Sequence, residues 1–205
     1  MEAYNISDII KKDSRGDGYV QLVMKQIKGI ILFSLPVILS CRYADLRNIY
    51  LTLPALSTGK YTLPIALAGV AVVAGYFGAM RFLRERKNWT FPLPGKKSLS
   101  IYFFLRVVHL ILYEAFFRGL LLWVFTSLFS LSISIGINVL LYMMAHYGAS
   151  RRMILACIPA GIILCLTSWH FGSAMPAMVI HVLLSISYEF LITYHYSTYP
   201  KTITV

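Results

Sequence analysis

Acidic residues are scarce in this 205-residue chain: eight Asp and Glu stand against nineteen Lys and Arg, and charged residues make up only 13%. Hydrophobic residues reach 58%, and mean hydropathy is +0.70. One soluble core of this size cannot hide so much apolar surface, so the scarcity of charge excludes a soluble domain and points to a polytopic membrane protein. Cysteine is scarce too. Cys41, Cys157 and Cys165 are odd in number and fit neither a disulfide framework nor a cysteine zinc site. No polar stretch is long enough for a second domain. No cleavable signal peptide is expected, since the first 18 residues are polar and hold Lys11, Lys12 and Arg15, so insertion would rely on the first membrane helix. The formal net charge of +11 is read as basic cytoplasmic loops, not as a nucleic-acid surface.

What is present is a series of apolar segments, at roughly 20–41, 61–83, 99–129, 131–148, 153–168 and 175–197. They predict an all-α bundle of about six transmembrane helices. Pro36 suggests a kink in the first. The loop at 42–60 has room for a short interfacial helix. Gly69, Gly75 and Gly78 suit close packing of the second segment. The stretch 84–98 reads as a basic loop, and 169–174 as a short joint before Pro176. The expected organisation is a tail at 1–18, accessory helices and loop at 19–98, a core at 99–197 and a C-terminal tail at 198–205. With Arg106 and Arg118 set aside as intramembrane, only Arg42, Arg47 and Lys60 fall on the side opposite the N-terminus. That bias places both termini in the cytoplasm. Trp89, Trp169, Tyr194 and Tyr196 read as interfacial belt residues.

Ionisable side chains within the lipid are costly and therefore rare. The third segment carries Arg106, His109, Glu114 and Arg118. The fourth ends in Tyr142 and His146, and the sixth holds His181, Ser185 and Glu189 at steps of four on one helix face. Glu114 and Arg118 are also four apart. A polar cavity is thus expected among the third, fourth and sixth helices. Arg106 is expected to snorkel to the inner face, and Glu189 to pair with a base. Depth counting puts His146 near the inner end of its helix and His181 two turns from the outer end, roughly 10–15 Å apart in depth. A shared site then needs a short or tilted fifth helix, or a re-entrant joint.

The chemistry of the set admits two uses. Glu114 and Arg118 can be a structural ion pair. Alternatively, Glu114 can act as a general base on water with Arg118 as electrostatic partner, while imidazoles hold an oxyanion or protonate a leaving amine. Two His and one Glu could also bind a divalent metal such as zinc, although no HExxH spacing is present; no other cofactor is expected.

The motifs Tyr113-Glu114-x-x-x-Arg118-Gly119, Tyr142-x-x-x-His146 and Gly172-Ser-x-x-Pro176-x-x-x-x-His181-x-x-x-Ser185 resemble those of the CPBP family (CAAX proteases and bacteriocin-processing enzymes, also called the Abi family). The resemblance covers about residues 99–190. It implies an intramembrane glutamate-dependent endopeptidase that cuts a peptide or membrane-protein substrate near the membrane, in a bacterial inner membrane. Glu114 would activate water beside Arg118, His146 and His181 would serve the oxyanion and leaving group, and Ser185 would position. The family usually has Glu where Tyr113 stands, Phe where Tyr142 stands and Asn where Ser185 stands. If that first Glu is indispensable, the chain is an inactive immunity or scaffold protein of the same fold. A small proton-coupled transporter, with Glu114 and Glu189 as proton sites, is a third reading; the lack of an inverted repeat speaks against it.

Overall fold

The computed structural model describes residues 18–51, 62–85, 95–147 and 149–198. Residues 1–17 and 199–205, Trp89 and most of the 84–98 loop lie outside the described residues. The architecture is helical, and no strand occurs among the described residues. The elements are α1 (Gly18–Ser40), α2 (Ala44–Leu51), α3 (Thr62–Glu85), α4, α5 (Leu131–Ala145), α6 (Arg151–Phe171) and α7 (Met175–Thr198). Helix α4 is one rod in three parts: Lys96–Glu114 is α-helical, Ala115–Leu121 is π-helical, and Leu122–Leu128 is α-helical again.

Five helices (α1, α3, α4, α6 and α7) are long and apolar enough to cross a membrane, and α5 is a shorter apolar helix. The six expected segments are all present, but the fourth, with 15 residues, is only about 22 Å long against an apolar layer of about 30 Å. The short interfacial helix expected in the 42–60 loop is α2.

Local sequence explains the boundaries that matter for the site. Ser150 caps α6, its hydroxyl accepting from the Met153 N–H at 3.3 Å. The same helix ends in a Schellman turn at Gly172 (φ 59°), with Ser173 N–H donating to Ser168 O and Gly172 N–H to Trp169 O. The joint before α7 is therefore only 172–174; Trp169 and His170 belong to α6.

The helices pack as pairs, α1 on α4, α3 on α7 and α5 on α6, with α7 also touching α4 and α6. The α3–α7 seam is built from small residues. Ala71, Gly75 and Ala79 are buried, and a Cβ on Gly75 would lie 2.6 Å from the Leu184 carbonyl oxygen and strike the Ser187 hydroxyl. Gly78 faces the Tyr188 ring, whereas Gly69 meets nothing within 4 Å and is not part of the seam.

Helix α2 seals one end. Leu46, Ile49 and Tyr50 pack with Val37, Ala115, Ala174 and Met178. The Tyr50 hydroxyl is 2.7 Å from Ser40 Oγ, and its ring lies against Gly119, where a Cβ would collide with it. Ala174 N–H donates to Ile49 O at 3.0 Å, which ties the start of α7 to α2. Tyr196, expected at the interface, is instead buried with Leu22, Ala79, Tyr102 and Ile192 at the other end; Trp169 and Tyr194 are exposed as expected.

The seam gives a paired test. Gly75→Leu should destabilise the protein by about 1–3 kcal/mol through overpacking against backbone, whereas Gly69→Ala should leave it unchanged or raise stability by up to about 1 kcal/mol. Thermal unfolding of the two variants in the same detergent distinguishes these outcomes.

Candidate functional site

Glu114 is the last residue before the π-helical stretch of α4, and Arg118 lies inside it. The wider turn alters the backbone bonding there. Phe117 O takes the Leu122 N–H, five residues on, and also the Asn138 Nδ2 of α5 at 2.7 Å. Asn138 is fully buried and its Oδ1 accepts from the Cys165 thiol at 3.4 Å. The irregular turn is thus fixed from α5 and α6. Such π turns recur at functional sites.

Arg118 NH1 donates to Glu114 Oε1 at 3.2 Å, with both side chains fully buried. The same oxygen accepts from Nδ1 of His181 at 2.5 Å. The Tyr142 ring lies over the guanidinium, 4.2 Å from its carbon, a cation–π contact that takes up charge left over from the ion pair. Helix α6 approaches closely because Gly161 has no side chain; a Cβ there would lie 3.6 Å from Arg118 NH2 and 3.1 Å from Val139.

His146 follows the last residue of α5. Its Nδ1 is 2.9 Å from the Tyr142 carbonyl oxygen. A carbonyl and a carboxylate only accept, so Nδ1 carries the proton in both His146 and His181. In each ring that leaves Nε2 as the nitrogen a ligand can use. The two imidazoles flank the same tyrosines. His146 is 6.0 Å from the Tyr113 ring and 4.6 Å from that of Tyr142, and His181 is 6.1 Å from each. The expected separation in depth is therefore corrected: α5 is short, and His146 at its end falls inside the bundle beside His181. The shortening falls in the fourth segment's helix, α5; the fifth segment's helix, α6, is full-length at Arg151–Phe171, and no re-entrant joint is needed.

A cavity of about 670 Å³ opens beside these rings. Tyr113, Tyr142, His146, His181 and Ser185 line it. Its polar groups come from α4, α5 and α7, as expected, but its walls extend to α1, α3 and α6, with Phe33, Gly78 and Ala156 among the lining residues. Glu114 does not line it. Adjacent helix positions point about 100° apart, so Tyr113 meets the cavity and Glu114 turns into the protein behind His181. The Tyr113 hydroxyl stands 3.5 Å from His146 Nδ1.

Of the residues singled out in the sequence, Glu114, Arg118 and His181 touch directly, His146 lies across the tyrosines, and Ser185 is one turn beyond His181. Arg106 does not snorkel to the surface. Its NH2 is 2.9 Å from Glu189 Oε1, with side-chain exposures of 13% and 1%, and the Tyr102 hydroxyl donates to Glu189 Oε2 at 2.5 Å. His109 pairs through Nδ1 with Gln26. Asn138, Tyr102 and Gln26 were not apparent as site residues. Asn138 had a signal, since it shares one face of α5 with Tyr142 and His146 at steps of four. Among the described residues no group of three or more His, Cys, Asp or Glu side chains is placed to hold a metal ion.

Residues 95–187 match the model of the Rce1-like family, described as type II CAAX prenyl endopeptidase Rce1-like. The matched segment runs from α4 into α7 and contains every motif of the site. The match bears out the resemblance of this core to the CPBP family of CAAX-type intramembrane proteases, and together with the apolar helices it points to an integral membrane protein. No curated protein and no solved structure matches the chain.

The buried pair has a measurable signature. Glu114→Ala should cost about 3–5 kcal/mol, because it strands the Arg118 charge, whereas the double substitution Glu114→Met and Arg118→Met should recover most of that loss. Chemical unfolding in detergent reads both. Equal losses in the single and double variants would contradict the pairing.

Proposed function

We propose that this chain binds a peptide segment in its CPBP-type cavity without cutting it by a glutamate-activated water. The observation that carries this reading is the position of Glu114. It has no exposed surface, it is off the cavity wall, and its Oε1 already serves Arg118 and His181. A general base must come within hydrogen-bond reach of the water it deprotonates, and the side chain in that place is Tyr113, a poor base near neutral pH. Glu114 then acts as a positioning residue that fixes the tautomer and orientation of His181. This favours the scaffold or immunity reading over glutamate-dependent proteolysis.

Hydrolysis is the second reading, supported by the retained Arg118–Glu114–His181 chain and by His146, whose Nε2 could take a proton from water. The transporter reading loses support, since Glu189 is engaged by Arg106 and Tyr102. From the charge bias we take the cavity residues Lys28, Arg81 and Arg152 and both termini to lie on the cytoplasmic side, in what we take to be a bacterial inner membrane.

An internally quenched prenylated CAAX peptide, offered to the full-length protein in nanodiscs, separates the two readings. The wild type should give no turnover above empty nanodiscs. Tyr113→Glu places a carboxylate beside His146 and should raise cleavage at least about tenfold above that blank, with the gain lost in Tyr113→Glu/His146→Ala. Wild-type cleavage that disappears in a folded Glu114→Gln variant would overturn the proposal.

A further inference from the structure

The cavity has a second polar station, one to two helical turns along from the imidazoles. Arg106 and His109 of α4, Gln26 of α1 and Glu189 of α7 all line it. Within this group the charges are unevenly used. Glu189 is shared by Arg106 and Tyr102. Arg106 has a guanidinium with five N–H donors. Its Nη2 lies 2.9 Å from Glu189 Oε1, and its buried Nε has no hydrogen-bond partner among the described residues. The described wall is positive on balance: Lys25, Lys28, Arg81, Arg106 and Arg152 line it, against Glu189, which pairs with Arg106, and Glu85, which Arg81 and Arg152 share at 3.2 and 2.9 Å. A buried, incompletely bonded guanidinium in such a wall is suited to a carboxylate, which it can grip through more than one N–H.

The two stations lie on the same pair of helices. Arg106 precedes Tyr113 by seven residues and Glu189 follows His181 by eight, a separation of about 10–12 Å along the helices. An extended peptide covers that distance in three to four residues. We infer that Arg106 binds one carboxylate of a peptide whose backbone, three to four residues away, faces His146 and His181, so that Arg106 is the specificity-determining residue of the cavity. The inference rests on the peptide-binding reading above. The carboxylate can belong to an acidic side chain or to a chain end. A lipid headgroup suits the station less well. Arg106 lies ten residues into α4, about 15 Å from the start of that helix, whereas headgroups stay at the surface.

The test uses the full-length protein in detergent and three fluorescein-labelled apolar hexapeptides. One ends in a free carboxylate, one is its C-terminal amide, and one is the amide carrying a single glutamate. At least one carboxylate peptide should bind about tenfold more tightly than the neutral amide, a difference typical of one charge-assisted contact. Which of the two gains identifies the source of the carboxylate. The preference should vanish in Arg106→Gln/Glu189→Gln, which strands no charge, so that the carboxylate peptides bind that variant no more tightly than the neutral amide does. Arg106→Lys, which keeps the pair with Glu189, should retain only part of the preference and guards against a folding defect in the double variant. Equal binding of all three peptides, or a preference that survives in the double variant, overturns the inference and leaves the peptide-binding reading standing. If no hexapeptide binds the wild type, the peptide-binding reading fails and the inference falls with it. Arg106-dependent binding of phosphatidylglycerol micelles without any peptide preference would also overturn it, by assigning the station to a lipid.

Discussion

One carboxylate oxygen, Oε1 of Glu114, answers to two donors in the dry centre of the bundle, and much of the local structure follows from that. A buried charge is tolerated only when it is paired and hydrogen-bonded. Arg118 supplies the pairing from one turn away and His181 a further bond from α7. Bringing a full guanidinium so deep creates its own demand. The Tyr142 ring covers its face, Gly161 lets α6 come close, and the π turn that carries it is held open by Asn138. Four helices therefore converge on one ion pair. The pair explains why α5, too short to span the membrane comfortably, sits where it does.

The same arrangement shows how one altered letter in a family motif changes the surface that the motif presents. Tyr113 and Glu114 are neighbours, yet one belongs to the cavity and the other to the protein interior. The residues that hold the machinery in shape are in place: Arg118, His146 and His181. The differences lie at three positions that line the cavity, Tyr113, Tyr142 and Ser185, and Tyr113 is the one that replaces a carboxylate.

The membrane segments were legible because lipid demands about twenty apolar residues for each crossing, and few other sequences satisfy that. Glu114, Arg118, His146 and His181 were legible because ionisable side chains in such segments are rare. Other features left no local trace. The π turn is a change in backbone bonding within Ala115–Leu121, a stretch whose composition suits an ordinary helix. The Arg106–Glu189 contact joins residues far apart in sequence, so a snorkelling arginine was an equally good reading of the same letters. Tyr196 carries the composition of a belt residue, and only the packing of α1, α3 and α4 around it decides that it is core. The depth of His146 followed once α5 was known to end at Ala145.

Helix α2 stands apart from the cavity. With Tyr50 wedged against Gly119 and Ile49 bonded to the start of α7, none of the residues that seal that end reaches the cavity wall. Among the described residues, then, the α2 plug and the cavity wall share no side chain. The contact that ties α2 to α7 and the space beside the imidazoles are separate parts of the bundle, joined only through α4 and α7.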